Sequence, residues 1–281
     1  MTANKSTVPV LMYHSISSES SPKFKRFTVS KAHFENQIHF LQEQGYRALT
    51  VTQYTAALRQ DPSRLPAKPL LITFDDGFAD FYFKALPVLQ KYNFNATLYV
   101  STAYVGGTST WLYPEGEGQR QMLGWEQLEE IVRAGIECGG HSHRHLQLDI
   151  LPAQVVRDEV KTCKDLLESR LGQEISSFAY PYGYFNRTVK QIVKTAGYSS
   201  ACAVRYSLNS AQADPFELNR LIVTSDTGIT ELEMLLRGAS FSAVPVLKRV
   251  LTPGWRVARH LQSDVNNLRG KGIAQYGAFN R

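Results

Sequence analysis

Residues 136–145 read I-E-C-G-G-H-S-H-R-H, an apolar run and two glycines followed by three imidazoles within five residues. The residues before the histidines are typical of a short buried strand. Core packing does not explain three imidazoles at the end of such a strand. The four-residue spacing of His141 and His145 can aim two ring nitrogens at one point, on a helical turn or in a compact loop, as a zinc-type ion requires. Two imidazoles leave such a site incomplete, so the stretch predicts a third protein ligand elsewhere.

A second apolar run offers that ligand. Residues 70–77 read L-L-I-T-F-D-D-G, a predicted strand that ends in two carboxylates and a glycine. Adjacent side chains at a strand end point in different directions, so one of Asp75 and Asp76 can bind a cation while the other stays free as a base. Each pattern alone has a simpler interpretation, because D-D-G often forms a turn or a helix cap. Both patterns at predicted strand ends of one chain favour a metal site.

Strand and helix patterns alternate five or six times along the chain. This alternation predicts an α/β fold with a parallel sheet, either open or closed into a barrel. In a barrel of this kind, functional residues lie at the carboxyl ends of the strands. Asp75, Asp76, His141 and Tyr182 all take that position in the predicted order of elements.

The composition is that of a globular protein, with 43% hydrophobic and 20% charged residues in 281. The formal charge of +6 is concentrated in residues 241–281, so residues 1–240 are close to neutral. The body of the chain is therefore not predicted to bind nucleic acid, and attraction to anionic lipid belongs to the tail. The tail has one acidic residue, Asp264, and seven basic ones: Lys248, Arg249, Arg256, Arg259, Arg269, Lys271 and Arg281.

No window of eighteen apolar residues is present, which predicts no transmembrane helix. The first residues lack the apolar region of a signal peptide, so the chain as given is predicted to be cytoplasmic. Residues 244–255 of the tail could form an interfacial helix, giving peripheral membrane contact, or a helix that packs on the body. Three scattered cysteines, Cys138, Cys163 and Cys202, indicate reduced thiols.

Three segments together resemble the NodB-type polysaccharide deacetylases, carbohydrate esterase family 4. They are T-F-D-D-G, H-S-x-x-H and a variant third motif, F-A-Y-P-Y-G, at residues 178–183. The resemblance runs from about residue 8 to about residue 223. It implies a distorted, incomplete (β/α)7-type barrel in one domain, residues 1–240, followed by a basic extension, residues 241–281.

The resemblance also implies roles for single residues. Asp75 is the expected general base, and the backbone N–H of Tyr182 is the expected donor to the oxyanion. His143 falls on a variable position of the motif and stays outside the ligand set. The donor types indicate Zn²⁺, although Co²⁺ or Ni²⁺ suit the same ligands. The expected metal ligands are Asp76, His141 and His145.

Two residues of the family pattern are missing from their usual places, and for each a different residue of this chain is the candidate substitute. Ala179 stands where the family usually has an Arg that pairs with the base, and Arg220, in L-N-R-L-I-V, is the candidate substitute, with a surface Arg as the alternative. The late motif that supplies a general acid His is missing after residue 223. However, L-M-Y-H at residues 11–14 resembles the start of the exopolysaccharide and poly-N-acetylglucosamine deacetylase subgroup, in which that motif is permuted to the N-terminus. His14, otherwise interpreted as a loop residue, then becomes the expected acid.

The predicted function is metal-dependent removal of N-acetyl groups from an amino-sugar-containing polysaccharide or oligosaccharide. Tyr180, Pro181 and Trp111 are the predicted substrate contacts, with Tyr113 as a second stacking platform; a simply packed loop is the alternative for residues 104–118. Three other functions stay open: an amidohydrolase acting on a nucleotide-sugar or lipid-linked precursor or on a formamide, a non-catalytic carbohydrate-binding protein, and a structural or interaction protein with a bound metal.

Overall fold

The computed structural model describes residues 7–238, and the predictions for residues 241–281 lie outside this range. The strands are β1 Val10–Tyr13, β2 Ser15–Ile16, β3 Thr28–Val29, β4 Arg47–Leu49, β5 Pro69–Phe74, β6 Thr97–Val100, β7 Glu137–Gly140, β8 Ser177–Ala179, β9 Ser200–Cys202 and β10 Leu221–Ile222. The α-helices are α1 Lys31–Glu43, α2 Val51–Gln60, α3 Leu86–Lys91, α4 Trp125–Arg133, α5 Ala153–Leu171, α6 Arg187–Thr195 and α7 Ile229–Leu236.

Eight parallel strands form a curled sheet: seven follow the order β10-β1-β5-β6-β7-β8-β9, and β4 pairs with β5 beside this path. Within residues 7–238, the two ends of the sheet are joined by an isolated bridge between Cys202 and Leu218 and by a bond from the Ala201 N–H to the Pro215 carbonyl, rather than by a continuous ladder. The barrel is therefore distorted and incomplete, and the predicted fold class is confirmed. Two short pairings were not predicted, β4 with β5 and β2 with β3, because two- and three-residue strands carry no readable period.

Alternate residues of each strand enter two different cores. Leu11, Ile72 and Leu98 pack into a large cluster between the sheet and the surrounding helices. Their neighbours Val10, Leu71 and Tyr99 pack into a smaller cluster on the inner face of the sheet. Because side chains alternate, residues 71, 73 and 75 share the inner face, so the strand that builds the core also aims Asp75 into the barrel mouth.

Side-chain caps mark the starts of two helices. Ser30 accepts a hydrogen bond from the N–H of His33 at the start of α1, and Thr50 and Gln53 form a capping box at the start of α2. Among residues 7–238, no helix combines the length and apolarity that crossing a membrane would require. Polar residues, among them Asp75, Asp76 and His141, lie at the edge of the sheet formed by the carboxyl ends of the strands.

Candidate metal centre and catalytic cleft

Asp76, His141 and His145 converge at the carboxyl ends of β5 and β7. The Nε2 atom of His145 lies 3.1 Å from Asp76 Oδ1, and the Nε2 atom of His141 lies 3.5 Å from the same oxygen. One donor atom from each residue lies within 4.8 Å of the other two, and all three side chains are buried. The predicted ligand set therefore forms one compact cluster.

The chemistry of this cluster fits a divalent cation. Asp76 Oδ1 is buried and lacks a hydrogen-bond donor, although two imidazole nitrogens face it. His141 Nδ1 lies 2.8 Å from the carbonyl oxygen of Ala179, which favours the tautomer with Nε2 unprotonated and able to bind a metal. A divalent ion bound between the carboxylate and the two imidazoles would supply the partner that this carboxylate oxygen lacks.

The backbone at the cluster is unusual. Non-glycine residues rarely adopt positive φ angles, yet Asp76 has φ 79°, Ser142 60°, His145 55° and Tyr182 60°. Such conformations each raise the free energy by about 1–3 kcal/mol and persist only where the surroundings hold them. Three of these four residues, Asp76, Ser142 and His145, lie on the loops that carry the ligands, and His141 and His145 meet through a compact loop rather than a helical turn.

Two other candidate ligands turn away from the cluster. His143 is half-buried, and its Nδ1 lies 2.9 Å from Thr102 Oγ1. Cys138 is buried within β7, where burial raises the pKa of its thiol to about 12. Neither residue was assigned as a ligand from the sequence, and their positions agree with that interpretation.

Arg220 is fully buried and forms a two-pronged ion pair with Asp75. Its Nη1 lies 2.5 Å from Asp75 Oδ1, and its Nη2 lies 2.8 Å from Asp75 Oδ2. Its Nε donates to the carbonyl of Ala203, and Nη1 also donates to Thr73 Oγ1. Burial alone would raise the pKa of Asp75, but the charges of Arg220 and His141 outweigh it, so that pKa lies below its ordinary value and the carboxyl is ionised.

His14 follows β1 and lies beside Asp75, because Tyr13 pairs with Phe74 and its carbonyl accepts the N–H of Asp75. Its ring is 4.9 Å from that of Phe27, and its buried Nδ1 lacks a hydrogen-bond partner. Desolvation lowers the pKa of His14 despite the opposing pull of Asp76 and Asp75. The first strand thus brings a mostly neutral imidazole to the metal cluster.

The segment after His14 is anchored by a polar cluster. Asp80 accepts hydrogen bonds from the hydroxyl of Ser15, at 2.5 Å, and from the N–H of Ile16, at 3.1 Å. Arg120 donates to the same hydroxyl at 2.6 Å and lies 3.2 Å from Asp80. These contacts fix the chain on the C-terminal side of His14.

Aromatic rings flank His145 on two sides. Trp111 is half-buried with its ring centroid 5.3 Å from that of His145, and Tyr182 is 53% exposed with its ring at 4.7 Å. Tyr113 is 49% exposed. Trp111 and Tyr182 therefore present apolar surface beside the ligand cluster.

The structure places the side chain of Tyr180, one of the predicted substrate contacts, in the core rather than in the cleft. Tyr180 is fully buried, stacks on Phe185 at 4.4 Å and donates its hydroxyl to the carbonyl of Phe216. Pro181 is buried as well. The strand ends at Ala179 and Tyr182 adopts φ 60°, so the Tyr182 side chain leaves the strand alternation and is exposed while Tyr180 stays in the core.

Sequence reasoning missed the Ala179 carbonyl, which orients His141. It also missed Glu159, which is 1% exposed and contacts the loop between the histidines. A signal for Glu159 was present, since it lies three residues after Val156 and four before Cys163 on the apolar face of α5. No comparable signal marks a carbonyl group.

Comparisons with known proteins identify the family. Residues 63–201 match the family model for polysaccharide deacetylases. The chain is 30% identical over 223 residues to YxkH of Bacillus subtilis strain 168, a protein whose name places it among polysaccharide deacetylases; the match covers 79% of this chain and 74% of YxkH. The chain belongs to the polysaccharide deacetylase family.

Two further relatives extend the comparison. A poly-beta-1,6-N-acetyl-D-glucosamine N-deacetylase of Staphylococcus aureus strain MRSA252 is 24% identical over 216 residues, covering 74% of this chain and 71% of that protein. The solved structure of Streptococcus pyogenes deacetylase PplD in complex with acetate superposes with a TM-score of 0.72 at 29% identity, covering 83% of this deacetylase and 99% of PplD. As a family member with an Asp-His-His cluster, this deacetylase is a metal-dependent hydrolase.

Proposed function

We propose that this deacetylase removes N-acetyl groups from a polymer of N-acetylglucosamine and that Zn²⁺ is its metal. The observation that carries the proposal is the placement of Asp75, His14 and the Asp76-His141-His145 cluster at one edge of the barrel. The named substrate of the Staphylococcus aureus relative supports the choice of polymer.

Asp75 is the general base in this proposal. Its lowered pKa keeps the carboxylate ionised, and Arg220 fixes its plane, so it can accept the proton of a water that attacks the acetyl carbonyl. Asp76, His141 and His145 are the metal ligands. These residues would hold a divalent ion, and the chemistry that the ion would supply is polarisation of the acetyl carbonyl and acidification of water.

His14 is the general acid on the amine side. Because burial lowers its pKa, the protonated imidazole is a strong acid toward a departing amine. The backbone N–H of Tyr182, placed just after β8, is the proposed donor to the oxyanion. Trp111 and Tyr182 supply apolar faces for a sugar ring beside His145.

Acetate release from β-1,6-linked N-acetylglucosamine oligomers tests the proposal. The protein is stripped of metal, assayed, and assayed again after addition of Zn²⁺, Co²⁺ or Ni²⁺, beside Asp75→Asn and the exposed-residue control His33→Ala. We expect metal-dependent release that falls about 100–10,000-fold in Asp75→Asn and is unchanged in His33→Ala.

Other results would point to the alternatives. Stoichiometric Zn²⁺ binding without acetate release from any oligomer would overturn the polymer proposal. Release from nucleotide-linked or lipid-linked N-acetylglucosamine would then identify a precursor hydrolase, and oligomer binding without any turnover would identify a carbohydrate-binding protein. The cytoplasmic location and the role of the tail stay predictions.

A further inference from the structure

A buried carboxylate that is not one of the three metal ligands is bonded to the loop that carries two of those ligands, His141 and His145. Glu159 of α5 accepts the backbone N–H of Arg144 at 2.7 Å and the Arg144 Nε at 2.6 Å. Its own backbone carbonyl accepts the N–H of His143 at 3.1 Å. One helical residue thus bonds to both residues that directly precede His145.

The loop is also held from the opposite side, by the segment after β6. Ser101 Oγ donates to the carbonyl of His141, the N–H of Ala103 donates to the carbonyl of His143 at 2.8 Å, and Tyr104 Oη donates to the carbonyl of Arg144 at 3.1 Å. The loop therefore lies between two anchors, and Glu159 is the anchor with a formal charge.

A structural ion pair alone does not account for this arrangement. Arg144 is the half-exposed partner, with 41% of its side chain accessible, whereas the Glu159 side chain is 1% exposed. A pair that served only to place Arg144 on the surface would not require a backbone N–H as a second donor. The backbone bond fixes the peptide immediately before His145.

That peptide adjoins a strained residue. His145 has φ 55° and Ser142 has φ 60°, and a five-residue loop with two left-handed non-glycine residues relaxes unless contacts hold it. In this loop conformation the Nε2 of His145 lies 3.1 Å from Asp76 Oδ1. Partners that orient a metal ligand typically change affinity by about 10–100-fold when they are removed.

We propose that Glu159 is a positioning residue that holds His145 in metal-binding geometry through the backbone N–H of Arg144. The proposal rests on the ligand set given under the proposed function. In this proposal Glu159 affects metal affinity through the length of its side chain, which reaches the Arg144 N–H, rather than through its charge.

The same helix provides a matched control. Glu168 also accepts a basic side chain, that of Lys164 at 2.7 Å, and a backbone N–H, that of Ile175 at 3.0 Å. It anchors the end of α5 to the segment before β8 and contacts no ligand-bearing loop. Equivalent substitutions at Glu168 therefore report the general effect of losing such an anchor.

The experiment measures Zn²⁺ affinity by competition with a chromophoric chelator, at a temperature where circular dichroism shows every variant folded. Variants Glu159→Met, Glu159→Asp and Glu159→Gln are compared with Glu168→Met and Glu168→Asp. We expect Glu159→Met to weaken Zn²⁺ binding about 10–100-fold and both Glu168 variants to stay within about twofold of the wild type.

The two conservative variants separate reach from charge. Aspartate keeps the charge but is one methylene shorter and withdraws from the loop, whereas glutamine keeps the length and one oxygen for the Arg144 N–H. We expect Glu159→Asp to bind Zn²⁺ more weakly than Glu159→Gln. This comparison still tests the role of Glu159 if Glu159→Met does not fold.

Each contrary result has a distinct meaning. Wild-type affinity in Glu159→Met, losses matched by the Glu168 variants, or weaker binding by Glu159→Gln than by Glu159→Asp would overturn the role of Glu159. If instead Asp76→Ala binds Zn²⁺ as tightly as the wild type, the ligand assignment itself is wrong.

Discussion

Arg220 and Asp75 are 145 residues apart in the chain, yet the guanidinium group bonds both carboxylate oxygens at the mouth of the barrel. The contact exists because β1 lies between β10 and β5 and the inner face of the sheet is narrow. Arg220 occupies this position although Ala179 stands where the family usually has the pairing Arg. We therefore expect Arg220 to orient the proposed base.

Arg220→Met should leave a buried, unpaired carboxylate and lower the free energy of unfolding by about 3–5 kcal/mol. Adding Asp75→Asn to this variant should restore much of that loss, because a neutral amide replaces the uncompensated charge. Urea unfolding of the two single variants and the double variant measures the coupling. Equal stability of Arg220→Met and the wild type would contradict the ion pair as a stabilising contact.

His14→Ala should affect substrates according to their leaving groups. An amide needs a proton on its departing nitrogen, so we expect its hydrolysis to fall about 100–10,000-fold, while an acetyl ester of an acidic phenol, which leaves unprotonated, should fall less than about tenfold. Steady-state rates on an N-acetylglucosamine oligomer and on such an aryl acetate give the ratio. A uniform loss on both substrates would assign His14 a structural role.

Trp111→Ala should raise KM for oligomers with little change in kcat, because the ring offers binding surface and no reacting group. An aromatic contact of about 0.5–1.5 kcal/mol corresponds to a change in KM of up to about tenfold. Trp111→Phe keeps an aromatic ring against Tyr104, so its KM should lie between those of the wild type and Trp111→Ala. If Tyr113→Ala raises KM and Trp111→Ala does not, the sugar platform is the more exposed ring.

Gly139→Ala should destabilise the strand that carries His141. An added Cβ would lie 2.6 Å from ring carbons of Tyr99 and 2.8 Å from Ser177 Oγ, so we expect a loss of about 1–3 kcal/mol from overpacking. Gly107→Ala is the control, since its Cβ would meet only the carbonyl of Tyr104, at 3.5 Å. Thermal and urea unfolding compare the two, and equal stabilities would show that the inner face accommodates the methyl group.

Local sequence determined a large part of this protein. Alternating strand and helix patterns predicted the parallel sheet, and two short motifs predicted a cluster of His141, His145 and one of the two carboxylates Asp75 and Asp76. These predictions succeed because side-chain direction along a strand and spacing along a loop are local properties. The resemblance to a family added the barrel, the choice of Asp76 as the ligand and Asp75 as the base, and His14 as the expected acid.

Only the tertiary structure decided which distant groups meet. The register of β1 and β5 sets His14 beside Asp75, and barrel curvature brings Arg220 to the same carboxylate. The turn after β8, in which Tyr182 adopts φ 60°, leaves Tyr180 in the core and exposes Tyr182. The sequence marks Glu159 only as a residue on the apolar face of α5, and the packing of α5 against β7 decides that it meets the loop before His145.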